Sequence, residues 1–465
     1  MTLLMLASVA LATTWIVDQA GGGDATTIAD GLALLANGDT LHINAGTYFE
    51  SGLATHAQGI VFEGDGADNT TLDGTGAGDT GGIAFRAPGV LVRALRFASF
   101  DDDHSTGALV FSANGWEEDP RSMDASATVA EDCVFEENHI GVGAWTYASL
   151  TVRSSTFAGN EYGFGPADSG EYPDLVLENN VFADNEYGVM PYMASGYPVT
   201  GEHWTIADNT FVNDDIRVGP GTEIPYVIAP EVDISNNLFV GADAILVLLD
   251  GVDWDGRPFT GIVSNNILSD GASFDIADAP GVTEVNTLSA DPLFTAWSDD
   301  GDWTNDDFHL LAGSPGIDYA LDGYVTNDHD GSARPIDGDL DGTAAPDVGA
   351  YEFNPDLDGD GHLRPDMGGD DCDDTQATAY PGGSETCGDG IDQDCDGSDL
   401  ACPEDTAEPE DTAEPDEDSG PDDDTESDAP EPKRHGLCAT GSSSRTWPLL
   451  LGSLLFVRRR RAGPG

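Results

Sequence analysis

Six segments in the middle of the chain repeat one pattern of hydrophobic and polar positions. Each has a strand-like alternation, then a small polar residue, then a large apolar residue two positions later. The large residues follow one another at intervals of 22, 25, 29, 28 and 29 residues, and they are Phe135, Phe157, Phe182, Phe211, Phe239 and Leu268. The small polar residues are Cys133, Ser155, Asn180, Asn209, Asn237 and Asn266. A period in the twenties, built of short strands and glycine turns, predicts a parallel β-solenoid.

The stacking of such coils predicts what the repeated side chains do. Coils lie about 4.8 Å apart, so each large residue packs on the equivalent residue of the next coil and forms one inner column. The asparagines are expected to hydrogen-bond up and down the stack as a ladder, because water cannot reach the buried turns. Residues added between repeats should lie in outward loops.

The start and end of this region resemble a known family. Ile28, Leu32 and Leu35 lie on one face of a short helix, and Leu41 and Ile43 alternate like a strand. The stretch TTIADGLALLANGDTLHINAGTYFE is similar to the N-terminal cap of bacterial right-handed parallel β-helix proteins of the pectin-lyase-like superfamily. Segments 291–294, 306–320 and 330–353 resemble the closing coils of its secreted members. The resemblance implies an all-β, right-handed parallel β-helix over residues 13–353.

The charge of the chain excludes several partners. It has 87 acidic and 16 basic residues, a formal charge of −71. Such a surface repels nucleic acid and acidic lipid headgroups and attracts cations.

Four of the six cysteines are clustered, namely Cys372, Cys387, Cys395 and Cys402. The cluster indicates disulfides and an oxidising compartment, and three ways of pairing the four cysteines remain open.

The N-terminus predicts export. Residues 1–12 read as a signal peptide, because a short apolar stretch ends in the small-x-small triplet Ala10-Leu11-Ala12. The alternative is a buried N-terminal strand. Secretion agrees with the clustered cysteines.

The C-terminal tail predicts attachment to a bacterial cell surface. Residues 403–436 repeat proline and acidic residues, which is typical of a disordered stalk. Residues 437–465 contain Cys438, a short apolar run and four arginines, and resemble the MYXO-CTERM type of sorting signal. The resemblance implies export and C-terminal sorting machinery as partners, transient membrane contact through the tail, and an outer-membrane-associated location. The alternative is a simple tail anchor, although the run is short for one.

Residues 354–402 predict a metal-binding module. Asp356, Asp358 and Asp360 open a D-x-D-x-D-G loop, but position 12 is Met367, so the loop is not an EF-hand. Further expected ligands are Asp370, Asp371, Asp373 and Asp374, with a second group of Asp392, Asp394 and Asp396. Carboxylate ligands favour calcium, and another divalent metal is the alternative ion. If the segment binds no metal, the alternative interpretation is an acidic linker. DGDLDG at 337–342 repeats the spacing and offers a further site, with Asp337, Asp339 and Asp341.

The module also resembles a named repeat. GGDDCDD, YPGG and CGDGIDQDCDG are similar to a metal-binding repeat of secreted myxobacterial proteins that carries a copper-binding name. No histidine lies inside the motif, so the residues themselves still favour calcium over copper.

Catalytic candidates in the coils are few. Lyases of this fold need a basic residue, and the body has no lysine and four arginines in its repeats: Arg93, Arg96, Arg153 and Arg217. The densest acidic cluster consists of Asp101, Asp102, Asp103 and His104. It is interpreted as a solvated loop rather than as a catalytic site. Cys133 is interpreted as a buried small residue. Several aromatic residues are candidates for sugar stacking or loop packing: Trp145, Tyr162, Tyr187, Tyr192, Tyr197 and Trp204.

These features together predict a surface-anchored β-helix protein with calcium-stabilised loops. It is expected to bind extracellular polysaccharide or another cell-surface component, or to act as an adhesive rod, without catalysis. The alternative is a secreted carbohydrate-active enzyme, either a polysaccharide lyase or a glycoside hydrolase.

Overall fold

The chain folds as a right-handed parallel β-helix, which confirms the predicted fold class. The computed structural model describes residues 12–78, 80–101, 107–112, 128–145, 149–166, 174–190, 203–218, 231–248, 260–321 and 325–402. The predicted signal peptide except Ala12, the predicted stalk and the predicted sorting signal with Cys438 lie outside the described residues, as do Asp102, Asp103 and His104.

Three parallel sheets, named A, B and C in the order in which each coil visits them, build the coil domain, residues 14–289. Sheet A has 11 strands: Thr14–Val17, Thr40–Ile43, Val61–Gly64, Leu91–Arg93, Thr128–Glu131, Leu150–Arg153, Asp174–Glu178, His203–Ala207, Glu231–Ser235, Thr260–Ser264 and Gly281–Val285. Sheet B has 10: Gly46–Tyr48, Thr70–Asp73, Arg96–Ala98, Val134–Glu136, Thr156–Ala158, Val181–Ala183, Thr210–Val212, Leu238–Val240, Ile267–Ser269 and Leu288–Ser289. Sheet C has 9: Leu53–Thr55, Ile83–Phe85, Leu109–Ser112, Ile140–Trp145, Tyr162–Pro166, Tyr187–Val189, Ile216–Val218, Ile245–Leu248 and Ser273–Asp275.

The N-terminal end of the coil domain is covered by the predicted short helix, Ile28–Leu32. The Thr27 side chain caps it by accepting a hydrogen bond from the Asp30 amide at 3.1 Å. A Cβ at Gly31 would lie 2.7 Å from Val17 Cγ2 and 2.9 Å from Leu41 Cδ1. The helix can therefore pack close enough to seal the first coil because this position has no side chain.

The predicted inner column is confirmed in sheet B. The five repeated phenylalanines and Leu268, called the inner anchors, pair with one another on consecutive strands of sheet B. Successive phenylalanine rings lie 4.7 to 5.0 Å apart with planes within 12° of parallel, and all five are fully buried. Phe97 extends the column by one coil, stacking on Phe135 at 5.1 Å. A long insertion before residue 128 separates these two residues in sequence and hid this member from the repeat.

The predicted asparagine ladder is also confirmed, at the turn from sheet A to sheet B. Asn180 donates from Nδ2 to Asn209 Oδ1 at 3.0 Å, Asn209 donates likewise to Asn237, and Asn237 to Asn266. Each Nδ2 also donates to a main-chain carbonyl of the preceding coil. These bonds satisfy polar groups that have no access to water.

The residue before each ladder position bends the chain. Asn179, Asp208, Asn236 and Asn265 have φ values of 62°, 57°, 59° and 55°. This left-handed region is costly for most side chains and tolerated by asparagine and aspartate. The doubled polar pairs in the repeat therefore have separate roles, since the first residue turns the chain and the second forms the ladder.

A second ladder, which the sequence reasoning missed, lies at the turn from sheet B to sheet C. Asn138 donates from Nδ2 to Asn160 Oδ1 at 3.0 Å, Asn160 to Asn185 at 2.7 Å, and Asn185 to Asp214 Oδ2 at 3.0 Å. Asp214 is 1% exposed and ends this ladder, and its Oδ1 has no hydrogen-bond partner among the described residues. Burial raises the pKa of Asp214 well above 3.8, and the nearby carboxylates of Asp215 and Asp184 add to the rise.

Replacing Asp214 with asparagine is expected to stabilise the coil domain at neutral pH by about 1–3 kcal/mol. A raised folded-state pKa means that the carboxyl's stabilising contribution is present below 3.8 and is lost as pH rises toward the folded value. The asparagine has no such loss. Denaturant unfolding of both proteins between pH 4 and 8 should show a difference that grows with pH. The exposed change Asp278→Asn is the control, and a difference that shrinks with pH would contradict the expectation.

Residues 294–353, called the strap, do not form the expected closing coils. Phe294–Ala296 and Asp307–Leu310 pair antiparallel, and a short 3-10 turn, Trp303–Asn305, lies between them. The strap packs on the outer face of sheet B, where Phe308 and Ala350 contact an apolar cluster of Val181, Ala183, Val212 and Val240. In earlier coils the positions flanking the inner anchor are more polar, as at Arg96, Glu136 and Thr156. The later outer face is apolar and so needs a cover.

Hydrogen bonds attach the strap to the bending residues of the coils. Asn236 Oδ1 accepts from the Leu321 amide at 3.0 Å, and Asn236 Nδ2 donates to the Leu321 carbonyl at 3.1 Å. Asn265 donates to the Tyr319 carbonyl at 3.1 Å, and the Ala350 amide donates to Thr210 Oγ1 at 3.0 Å.

Within the described ranges, no helix has both the length and the apolar character needed to cross a membrane.

Candidate metal centre

Two disulfides tie together residues 354–402, called the module. They join Cys372 to Cys395 and Cys387 to Cys402, which selects one of the three open pairings. Regular structure in the module consists of a single 3-10 turn, Pro365–Met367. A segment with so little buried apolar surface needs cross-links for its stability, and the two disulfides supply covalent ones.

The module contacts the strap through two side chains. Met367 packs into the apolar cluster that contains Leu310 and Phe353. The Arg364 guanidinium lies 4.9 Å from the centre of the Phe353 ring. The start of the module is therefore positioned by the C-terminal end of the strap.

Asp356, Asp358 and Asp360 form the first acidic group, with carboxylate oxygens within 4.8 Å of one another. The amides of Gly359 and Gly361 donate to the two oxygens of Asp356 at 2.9 and 3.1 Å, which fixes the turn of the loop. The φ angles of these glycines, 76° and 93°, are left-handed, as the tight loop requires. The D-x-D-x-D-G spacing thus brings alternate side chains together as expected.

The first group and the neighbouring Asp371 contain buried oxygens without partners. Asp358 Oδ2, Asp360 Oδ2 and Asp371 Oδ2 are inaccessible to solvent and have no hydrogen-bond partner among the described residues. Asp371 is 1% exposed, and its other oxygen accepts from the Asp373 amide at 2.8 Å. Buried carboxylate oxygens are normally paired, so three unpaired ones in one loop region fit a hard divalent cation.

The electrostatics of the group agree with this fit. Burial raises the pKa of Asp358, and the charges of Asp360, Asp371 and Asp356 raise it further. Burial also raises the pKa of Asp374 to about 6, with repulsion from Asp371 and Asp358 adding to the shift. A bound cation would remove this repulsion and hold all the carboxylates ionised.

A second acidic group contains Glu385, Asp392 and Asp394. Glu385 accepts from the amides of Asp394 and Leu400 at 2.9 and 2.8 Å. Sequence reasoning named the two aspartates and missed Glu385, which lies outside the D-x-D-x-D run.

Five other predicted ligands lie outside both groups, namely Asp370, Asp371, Asp373, Asp374 and Asp396. Asp370 is paired with His362 Nδ1 at 2.9 Å, and Asp373 accepts from the Thr375 hydroxyl at 2.6 Å. Asp396 accepts from the Ser398 amide and hydroxyl at 3.1 and 2.9 Å. His362 also stacks on Tyr380 at 5.0 Å, so this imidazole is used structurally.

The DGDLDG loop of the strap forms a third acidic group, but with a different membership from the expected one. Asp337 and Asp339 meet Asp318, which comes from a distant part of the strap. The Asp341 carboxylate accepts from the Thr343 amide at 2.9 Å and lies outside the group.

Of the acidic catalytic candidates, Asp101 is exposed, and Asp102, Asp103 and His104 lie outside the described residues. Arg93 and Arg153 are held by Glu63 and Glu131, each at 2.6 Å, and Arg96 by Glu136 at 2.6 Å. With Arg217, which pairs with Asp215, all four repeat arginines serve as partners of acidic residues on the coils.

Cys133 is the buried small residue that the sequence predicted. It is a free thiol, 1% exposed, at the start of the first ladder. Burial raises its pKa to about 12, so the reactive thiolate is disfavoured.

A group of aromatic and charged side chains lies where three neighbouring strands of sheet C begin. It is called the sheet C strip and contains Tyr162, Tyr187, Asp215 and Arg217. Tyr162 and Tyr187 stack at 5.0 Å with planes 12° apart, and the Arg217 guanidinium lies 4.9 Å from the Tyr187 ring centre. Asp215 accepts from Arg217 Nε at 2.5 Å, and burial raises the pKa of this carboxyl to about 6. Trp204, in contrast, is fully buried in the core and unavailable to a ligand.

Comparison with known proteins supports a metal-binding motif in the module. Residues 371–399 match a family described as "Putative metal-binding motif", which carries a copper-binding name. The matched segment is short and includes Asp371, whose charge acts on Asp358 of the first group, and all three residues of the second group. No curated protein matches the sequence.

Solved structures with a similar path of the chain include a pectate lyase and pectin methylesterases. Pectate lyase Pel9A is 13% identical, with 75% of this chain and 98% of that chain covered and a TM-score of 0.34. Pectin methylesterase from carrot is 12% identical, with 63% and 86% covered and a TM-score of 0.31. Pectin methylesterase PemA from Erwinia chrysanthemi is 12% identical, with 63% and 92% covered and a TM-score of 0.26.

Proposed function

We propose that this chain is a bacterial cell-surface β-helix protein whose module binds calcium and whose coils bind extracellular polysaccharide. The observation that carries the metal part is the set of buried, partnerless oxygens of Asp358, Asp360 and Asp371. The location rests on the sequence features of the two termini.

The donor atoms favour calcium over copper. The first group offers carboxylates, which suit a hard cation, whereas copper prefers imidazole and sulfur ligands. The nearest histidine, His362, is engaged with Asp370 and Tyr380, and the module's four cysteines are in disulfides. Calcium would then supply the cross-link that the small apolar content of the module cannot.

Calcium is expected to bind the intact secreted chain and to stabilise the module. At a free concentration of 100 times Kd, binding to one folded-state site adds about 2.7 kcal/mol to stability. Isothermal titration calorimetry measures the affinity, and hydrogen exchange of residues 354–402 with and without chelator measures the stabilisation.

A double substitution, Asp358→Asn with Asp360→Asn, should abolish this binding phase. The matched control, Asp275→Asn with Asp278→Asn, removes the same charge from exposed coil positions and should leave it intact. Copper that displaces calcium at equal concentration, or a titration unchanged by the first pair, would contradict a calcium site.

The polysaccharide part of the proposal is supported by the sheet C strip. Two stacked tyrosines and an arginine offer an apolar edge, hydroxyl groups and a cation in one place. A panel of neutral and acidic polysaccharides tests binding, and Tyr187→Ala should weaken it. The substitution Tyr319→Ala, on the strap, is the control and should leave binding unchanged.

A carbohydrate-active enzyme is the second candidate, and one observation favours it. Asp215 and Arg217 place a buried carboxyl and a guanidinium beside Tyr187, and the raised pKa of Asp215 suits proton transfer. The same polysaccharide panel should be examined for new reducing ends, unsaturated sugars and released methanol. Product formation that Asp215→Asn abolishes would favour the enzyme, and binding without products would favour the first proposal.

A further inference from the structure

We propose that the strap is held on sheet B by a proton on Asp208, so that the strap loosens as pH rises through neutrality. The device lies away from the module and the sheet C strip and does not depend on the functions proposed above. Asp208 belongs to the coils, and its charged neighbours come from the strap, as Arg334 and Glu352, and from the coils, as Glu178.

The centre of the device is a buried arginine of the strap. Arg334 is 5% exposed, and its Nε donates to Glu352 Oε2 at 2.8 Å while Nη2 donates to the Gly349 carbonyl at 3.0 Å. Its Nη1 lies 3.9 Å from Asp208 Oδ1, too far for a hydrogen bond, and has no other partner among the described residues. Glu352, not Asp208, thus takes the close pairing with the guanidinium.

Asp208 is therefore a buried carboxyl that faces the Arg334 guanidinium without a hydrogen bond to it. It is 2% exposed and accepts from Asn236 Nδ2 at 3.0 Å. It occupies the bending position of its coil, where neighbouring coils have Asn179, Asn236 and Asn265. An ionised group at this place costs free energy that a neutral amide or acid does not.

The other charged groups that face this place are mostly acidic. Glu178 approaches from sheet A, and its own pKa is raised by burial. From the strap come Glu352 and, beside it, Asp347, whose amide donates to Glu352 Oε2 at 2.9 Å. A single guanidinium thus faces several carboxyls, so full ionisation would leave excess negative charge buried beneath the strap.

The direction of the pH effect follows from the pKa shift. Burial raises the pKa of Asp208 from 3.8 to about 7, with Arg334 and Asn236 opposing the rise and Glu178 and Glu352 adding to it. The folded state binds the proton more tightly than the unfolded state, so the stabilising contribution is present below 3.8 and is lost as pH rises through about 7. Detachment would uncover the apolar face that includes Val181, Val212 and Val240.

Hydrogen exchange of the full secreted chain between pH 5.5 and 8.5 tests the device, after correction for the intrinsic pH dependence of exchange. Hydrogen-exchange protection of residues 325–353, relative to residues 134–166 of the coils, is expected to fall about tenfold from pH 6 to pH 8. A tenfold change in the opening equilibrium corresponds to about one pKa unit for one bound proton. Binding of an apolar fluorescent dye should rise over the same range.

The variant Asp208→Asn should flatten both profiles, because asparagine already occupies this position in neighbouring coils and carries no charge. The exposed change Asp275→Asn is the control and should keep the wild-type profile. Measurements with calcium and with chelator separate the device from metal binding, since carboxylate sites bind metal more tightly as pH rises, the opposite sign. Wild-type protection that stays level or increases with pH would overturn the proposal, whether or not the variant folds.

Discussion

Replacing Phe182 with alanine is expected to lower the free energy of unfolding by about 3–5 kcal/mol. The ring is fully buried and stacks on Phe157 at 4.7 Å and on Phe211 at 4.8 Å. Its removal leaves a cavity between two coils that cannot collapse, because hydrogen bonds on all three sheets keep the coils at a fixed spacing. Guanidinium unfolding followed by circular dichroism measures the change.

The control for this prediction is the same substitution at an exposed position. Phe49 is 67% exposed, and Phe49→Ala should change the free energy of unfolding by less than about 0.5 kcal/mol. Equal effects at the two positions would show that the inner column does not stabilise the coils.

The second large effect is expected at the ladder, where Asn209→Ala should cost about 3–5 kcal/mol. The Asn209 side chain donates to the Leu177 and Ala207 carbonyls and to Asn237, and it accepts from Asn180. Alanine leaves several of these buried groups without partners, and water cannot replace the lost bonds inside the coils. Denaturant unfolding again measures the loss.

Two comparison variants separate the ladder from other effects of the substitution. Asn209→Ser should cost less, because Ser155 already serves as a member of the same ladder by accepting from the Cys133 amide at 3.2 Å. Asn305→Ala, at an exposed turn of the strap, should have little effect. A cost for Asn209→Ala no larger than that for Asn305→Ala would contradict the role assigned to the ladder.

The metal centre shows how far spacing alone can identify a site. The alternation Asp356, Asp358, Asp360 predicted a convergent loop because successive carboxylates on a tight turn point to one side. The same reasoning could not separate Asp371 from Asp370 or Asp373, since those carboxylates differ in the partners that the folded chain provides. Glu385 and Asp318 joined their groups from outside the motifs, and no local spacing signals such contacts.

The strap shows a different limit. Its motifs suggested closing coils, yet its residues cover the outer face of sheet B. The sequence does contain a signal for a cover, because most positions that flank the inner anchors from Val181 to Ile267 are apolar. Which segment provides that cover depends on the path of the chain after the last coil.

The amino-acid sequence by itself determined the coil repeat, the inner phenylalanine column and the first asparagine ladder. Each is written once per coil, and stacking at a constant spacing turns a local repeat into a continuous contact. The tertiary structure alone decided the cover on sheet B, the disulfide pairing and the membership of the acidic groups. These features join residues far apart in sequence, and their free energy depends on burial and charge that exist after the chain has closed around them.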